Sequence, residues 1–151
     1  MTRLAKMLDD DFKIWNAQVW VKYRAELIAA GITEAAADEN VASNMAQTFP
    51  EGKLAAGNFV FAVWHDEQKI GAVWLADRAG EWFIYDIEVD ENLRGQGLGR
   101  ATMRSIEDFV RSQEGISVSL SVFGFNKIAQ NLYLSEGYET VRWSMTKKLI
   151  D

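Results

Sequence analysis

At 151 residues, with 48% hydrophobic content and a formal net charge of -6, the chain has the size of one compact domain over 1–151. It lacks the basic balance that a general nucleic-acid binder needs. The absence of cysteine removes disulfides, thiolate metal sites and cysteine nucleophiles together. The start, MTRLAKMLDDDF, has no apolar signal core, and no run approaches the roughly 18 apolar residues of a membrane span. A cytoplasmic protein without nucleic-acid or membrane partners is expected.

Residues 2–7 read as a short first strand, and Asp9, Asp10 and Asp11 offer a capping oxygen and negative charge to a helix start. Phe12, Trp15, Val19, Tyr23 and Leu27 then recur at three- and four-residue steps, one face of a helix that Gly31 stops. Thr33 caps a second helix with Ala37, Val41 and Met45 inward, ending before the turn at Pro50. From Asn58 the period changes to two: NFVFAVW, KIGAVWLA and EWFIYDIEV, joined by HDEQ and DRAG, predict an antiparallel meander.

The meander runs into Arg94-Gly95-Gln96-Gly97-Leu98-Gly99-Arg100, a glycine-rich turn that opens a helix carrying Met103, Ile106, Phe109 and Val110. Such a turn is an anion site, because the first amides of a helix lack intrahelical acceptors and glycine lets a phosphate approach the backbone. Arg94, Arg100 and Arg104 add positive charge there against Glu91 alone. A dinucleotide fingerprint would need glycine at position 100, and a P-loop would need Gly-Lys-Ser/Thr, so neither fits. A strand alternating Val118, Leu120 and Val122 with serines follows. Asn126 then caps a helix bearing Ile128, Ala129, Leu132 and Tyr133 up to Gly137, and Val141, Trp143 and Met145 alternate in a final strand.

Arg-x-x-Gly-x-Gly after an extended strand, the junction VFGFN, the helix start NKIAQNLY, the following Gly-Tyr and the ending Met-x-Lys-x-Leu together resemble the GNAT superfamily of acetyl-CoA-dependent N-acetyltransferases. The likeness is specific over residues 81–149 and points to small single-domain bacterial members of unassigned substrate. It implies an α/β fold: a mixed, mostly antiparallel sheet with a splayed parallel central strand pair, flanked by helices. Backbone groups of Ile87 and Val89 would bond the pantetheine amides of acetyl-CoA, the cosubstrate. Arg94 and the amides of Gly95, Gln96, Gly97, Leu98, Gly99 and Arg100 would hold the diphosphate, and Asn126 would lie near the pantetheine or act only as a helix cap.

By the same resemblance Tyr133 takes the position of the general acid that protonates the departing CoA thiolate. Where some members carry a glutamate base, this chain has Tyr85. Asp86 and Glu88 flank it on the opposite strand face, and the base stays open between them and a water chain. The single histidine, His65, falls in a polar turn, and no metal site can be built. The activity implied is direct transfer of acetyl to a primary amine of a small molecule, since no cysteine is present to carry an acyl group. The alternatives are acetylation of a protein N-terminus or lysine, and a CoA-binding sensor without turnover. A homodimer is compatible with either.

Overall fold

The computed structural model describes residues 1–150. Its elements are β1 (Thr2–Lys6), α1 (Asp9–Ala29), α2 (Glu34–Thr48), β2 (Asn58–His65), β3 (Gln68–Arg78), β4 (Glu81–Val89), α3 (Leu98–Ser112), β5 (Ser117–Leu120) and α4 (Lys127–Ser135). The strands form one sheet in the order β1-β2-β3-β4-β5, antiparallel throughout except for the parallel pair β4 and β5. The meander arises as the period of two predicts, with tight turns at Asp66 and Ala79, both at positive φ.

Each sheet face buries its own apolar cluster. On one, Trp15, Val19 and Trp20 of α1 and Phe49 after α2 pack on Val60, Ala62, Ala72 and Trp74. The two alanines leave room for the indoles: Trp15 and Trp20 meet Trp74 edge-on at 5.7 and 5.8 Å, and Phe49 meets it at 5.4 Å. Aromatic pairs of this kind are worth about 0.5–1.5 kcal/mol each beyond their area. On the other face Met103, Ile106 and Val110 of α3 pack on Val63, Val73, Leu75, Trp82 and Ile84, with Leu132 and Tyr133 of α4 at the margin.

Four expectations are corrected. The residue before α1 is Leu8, which has no side-chain oxygen to offer, so the three aspartates supply first-turn charge but no cap. Thr33 does cap α2, accepting from the Ala36 amide at 3.3 Å. Ile128 is 87% exposed, because the short α4 turns only Leu132, Tyr133 and half of Ala129 toward the sheet. β5 stops at Leu120, so Val122 lies outside it. The final strand is not formed: residues 139–150 have no regular structure, and Val141, Trp143 and Met145 are 92%, 75% and 81% exposed. A strand needs a neighbour to satisfy its ladder, and nothing in the chain pairs with this one.

Candidate active site

The site is made by a strand that outruns its neighbour. β5 pairs with β4 only from Glu81 to Ile84, whereas β4 continues to Val89. Past Ile84 the outer edge of β4 therefore faces a gap, and Ile87 and Val89 lie on this open stretch, bound on their inner side to Val73 and Gly71 of β3. The splay expected of a parallel pair that admits a third, strand-like partner is thus present.

A β-bulge stands at the mouth of the gap. Trp74 of β3 opposes Asp86 and Leu75 opposes Ile84, which leaves Tyr85 as the extra residue. The insertion corrects the placing of Tyr85 on the face opposite Asp86 and Glu88. Its ring stacks on Trp74 at 4.5 Å, on the α1 side of the sheet, the same side from which Lys22 of α1 reaches both carboxylates. Beyond the bulge Ile87 joins Trp82 and Ile84 in the α3 cluster.

The glycine loop meets its geometric requirements. Gly95 and Gly97 have φ of +79° and +77°, left-handed backbone that glycine adopts without cost. Among the described residues, no turn or cap hydrogen bond uses the amides of Gly95 through Arg100 as donors, and the first bond of α3 runs from Ala101 to the Gly97 carbonyl at 3.1 Å. These amides are free donors at the positive end of a helix. The side chains do less than their charge suggested. Arg94 Nε donates to the Val89 carbonyl at 3.0 Å, drawing its guanidinium back onto β4. Arg100 donates to Glu136 at 2.8 Å and to Ser135, while Arg104 donates to the other oxygen of Glu136 at 2.9 Å. Those hydrogen bonds, from Arg104 first, hold the Glu136 carboxyl below its usual range. Two of the three expected cations therefore share one carboxylate at the end of α4, which halves their charge, and Arg100 contributes its backbone amide.

Asn126 caps α4, its Oδ1 accepting from the Ala129 amide at 3.1 Å. Seven residues on, Tyr133 is half-buried beside Tyr138, their ring centroids 6.1 Å apart. Among the described residues its hydroxyl has no hydrogen-bond partner. Burial pushes this phenol above its usual range, the negative charges of Asp86 and Glu26 push it further, and Lys22 opposes them.

On the α1 side Lys22 is paired with Asp86 and lies 3.3 Å from Glu88. Burial draws the Lys22 ammonium down, but the charge and hydrogen bond of Asp86 outweigh it, and the ammonium is held above its usual range. Burial raises the Asp86 carboxyl; Lys22 opposes this and Glu88 reinforces it. Its second oxygen, Oδ2, and the nearby Trp15 Nε1 are buried without a hydrogen-bond partner of ordinary geometry. Beside the cluster a cleft opens between α1 and the ends of β3 and β4, lined by Ile14, Trp15, Gln18, Asp11, Glu88 and Asp90. Sequence reading missed Lys22 and Glu26. The available signal was their spacing of four, one helical turn apart beside the apolar stripe of α1.

A model of the acetyltransferase (GNAT) family matches residues 13–138. YdgE of Bacillus subtilis (strain 168), an uncharacterized N-acetyltransferase, is 26% identical over 152 residues, covering 97% of each chain. YycN of the same strain, likewise an uncharacterized N-acetyltransferase, is 27% identical over 153 residues with the same coverage. The crystal structure of YycN superposes with a TM-score of 0.90 at 23% identity over 100% of both chains. A structure of AAC(6')-Iy in complex with a bisubstrate analog, CoA-S-monomethyl-acetylneamine, shares the fold at a TM-score of 0.59 and 14% identity.

Proposed function

The chain belongs to the acetyltransferase (GNAT) family, and from that premise we propose that it moves acetyl from acetyl-CoA directly to a primary amine of a small molecule. One observation carries this reading: the stretch of β4 past Ile84 has no partner on its outer edge and leads into a loop whose amides, Gly95 through Arg100, are free. Acetyl-CoA, when bound, supplies an acyl thioester and a thiol leaving group. The open edge at Ile87 and Val89 bonds the pantetheine amides as a missing strand would. The loop amides and the α3 dipole hold the diphosphate. No cysteine is present to carry the acetyl group, so the amine attacks the thioester itself.

An amine arrives mostly as ammonium and must lose a proton, which Asp86 or Glu88 takes through water. The Tyr133 phenol, kept protonated by its surroundings, returns a proton to the departing sulfur. Ile14 and Trp15 give the cleft an apolar wall, and its carboxylates Asp11, Glu88 and Asp90 outnumber its one lining cation, Lys69, which suits a small cationic amine better than an extended peptide. The pairing of Lys22 with Asp86 favours one second reading, a CoA-binding sensor that does not turn over.

Two measurements test the proposal. Acetyl-CoA at about 100 times its dissociation constant should add roughly 2.7 kcal/mol, a rise of about 5–10 °C in melting temperature for a domain of this size. An amine panel monitored by thiol release should then find an acceptor, and the cysteine-free protein adds no thiol background. A melting curve indifferent to acetyl-CoA and CoA rejects the cosubstrate. A clear shift with no acceptor and no slow hydrolysis selects the sensor.

Gly97→Val separates loop from ligand. An added Cβ at Gly97 meets nothing within 4 Å, so its cost to the fold is the left-handed backbone, about 1–2 kcal/mol. Acetyl-CoA affinity should fall by a further factor of ten or more, and Arg94→Ala should act in the same direction but less, because its side chain is already held by Val89. Unchanged affinity in Gly97→Val would reduce the loop to a turn.

A further inference from the structure

Residues 139–150 form the one long segment that the fold leaves outside itself. Tyr138 is the last anchored residue: its amide donates to the Tyr133 carbonyl at 3.0 Å and its hydroxyl to Glu107 at 2.9 Å. Beyond it, among the described residues, the segment makes no hydrogen bond or ion pair. Its sequence is nonetheless that of a half-buried strand. Val141, Trp143 and Met145 fall on one face, and Thr140, Arg142, Ser144 and Thr146 on the other; past Thr146 the alternation breaks at Lys147 and Ile150. Exposure of 75% at Trp143 and 81% at Met145 is an apolar surface without a cover.

The same chain carries the matching vacancy. β5 pairs only with β4, so its other edge presents unpaired backbone donors and acceptors. Around that edge α4 has no fully buried residue, Ile116 is 77% exposed, Leu134 57% and Val122 36%. A strand-patterned segment without a partner and an unpaired edge on one molecule are self-complementary between two molecules related by a two-fold axis.

We propose that the partner is a second copy of this chain, and that two copies exchange residues 139–150, each segment adding a strand to the free edge of the other's β5. The exchange completes each sheet and covers Trp143 and Met145 against α4. It also places the partner's segment beside the helix that carries Tyr133. The proposal does not depend on the chemistry of the site.

The test uses the full chain. Sedimentation equilibrium at micromolar concentration should give a dimer, and the double substitution Val141→Asp with Trp143→Asp should weaken it by about 100-fold or more, since buried charges and a lost aromatic anchor both act at the interface. To tell exchange from mere stickiness, tagged Ser119→Cys protein and untagged Ser144→Cys protein are mixed and treated with a short bismaleimide. In this cysteine-free background a crosslink should join tagged to untagged chains. A monomeric wild type, a dimer indifferent to the double substitution, or a chain carrying both cysteines that crosslinks only within itself overturns the proposal. The last outcome would mean that the segment folds back on its own β5.

Discussion

Tyr133→Phe is expected to lower turnover by about 10² to 10⁴, the range for a positioned general acid, while acetyl-CoA affinity stays nearly intact. The ring is what packs, in the cluster with Leu132 and Tyr138, and phenylalanine keeps it. The hydroxyl has no hydrogen-bond partner among the described residues, so its removal orphans no group and the melting temperature should hardly move. A pH profile gives a second readout. The phenol is raised above 10.0 by burial first and by Asp86 second. The folded state therefore favours the neutral form, an advantage present at low pH and lost only as pH climbs through the folded value. The wild type should lose activity along an alkaline limb above pH 10.0, and that limb should be missing from the residual activity of Tyr133→Phe. Equal turnover by the two proteins, in an assay limited by chemistry, would leave Tyr133 a packing residue.

Gly71→Ala should be the most damaging methyl that can be added to the sheet. Gly71 pairs with Val89, and an ideal Cβ there would lie inside the Glu88 carbonyl, 2.9 Å from its carbon and 3.1 Å from the Val89 Cα. The obstacle is backbone on the neighbouring strand, so no rotamer relieves it, and β4 must move. Overpacking of this kind costs about 1–3 kcal/mol, a fall of roughly 3–10 °C in melting temperature. The movement falls where Ile87 and Val89 are proposed to bind pantetheine, so acetyl-CoA affinity should drop together with stability. The same substitution at Gly95, where an added Cβ meets nothing, provides a control for strain without crowding. A Gly71→Ala protein that melts within a degree of wild type would show that the strands separate freely here.

Element order was legible in the sequence because each element announces its own period. Phe12, Trp15, Val19 and Leu27 can share a buried side only as a helix, and Val118 and Leu120 among serines only as a strand. Trp20 escaped that reading because a helix lying across two indole-bearing partners buries a wider stripe than one row. What failed was what depends on residues far apart. The bulge at Tyr85 is set by the fit of β4 to β3, and FIYDIEV gives no sign that one residue is in excess. The binding of Arg100 and Arg104 by Glu136 joins positions more than thirty apart, so counting charges near the loop overstated its field. Alternation at Val141, Trp143 and Met145 reads as a strand, but a strand also needs a neighbour, and among the described residues none pairs with this segment.

The distribution of the six tryptophans has an optical consequence. Trp15, Trp20, Trp74 and Trp82 are buried at 8% exposure or less and Trp64 is partly covered, which leaves Trp143 as the indole in open water. In the isolated chain Trp143 supplies the red side of the emission band and is the fluorophore that iodide reaches first. When the segment is covered, its emission moves to the blue and its quenching falls, while the four buried indoles stay as they were. The difference spectrum between wild type and Trp143→Phe is thus an unlabelled gauge of where residues 139–150 lie, readable during dilution without attaching anything to the protein.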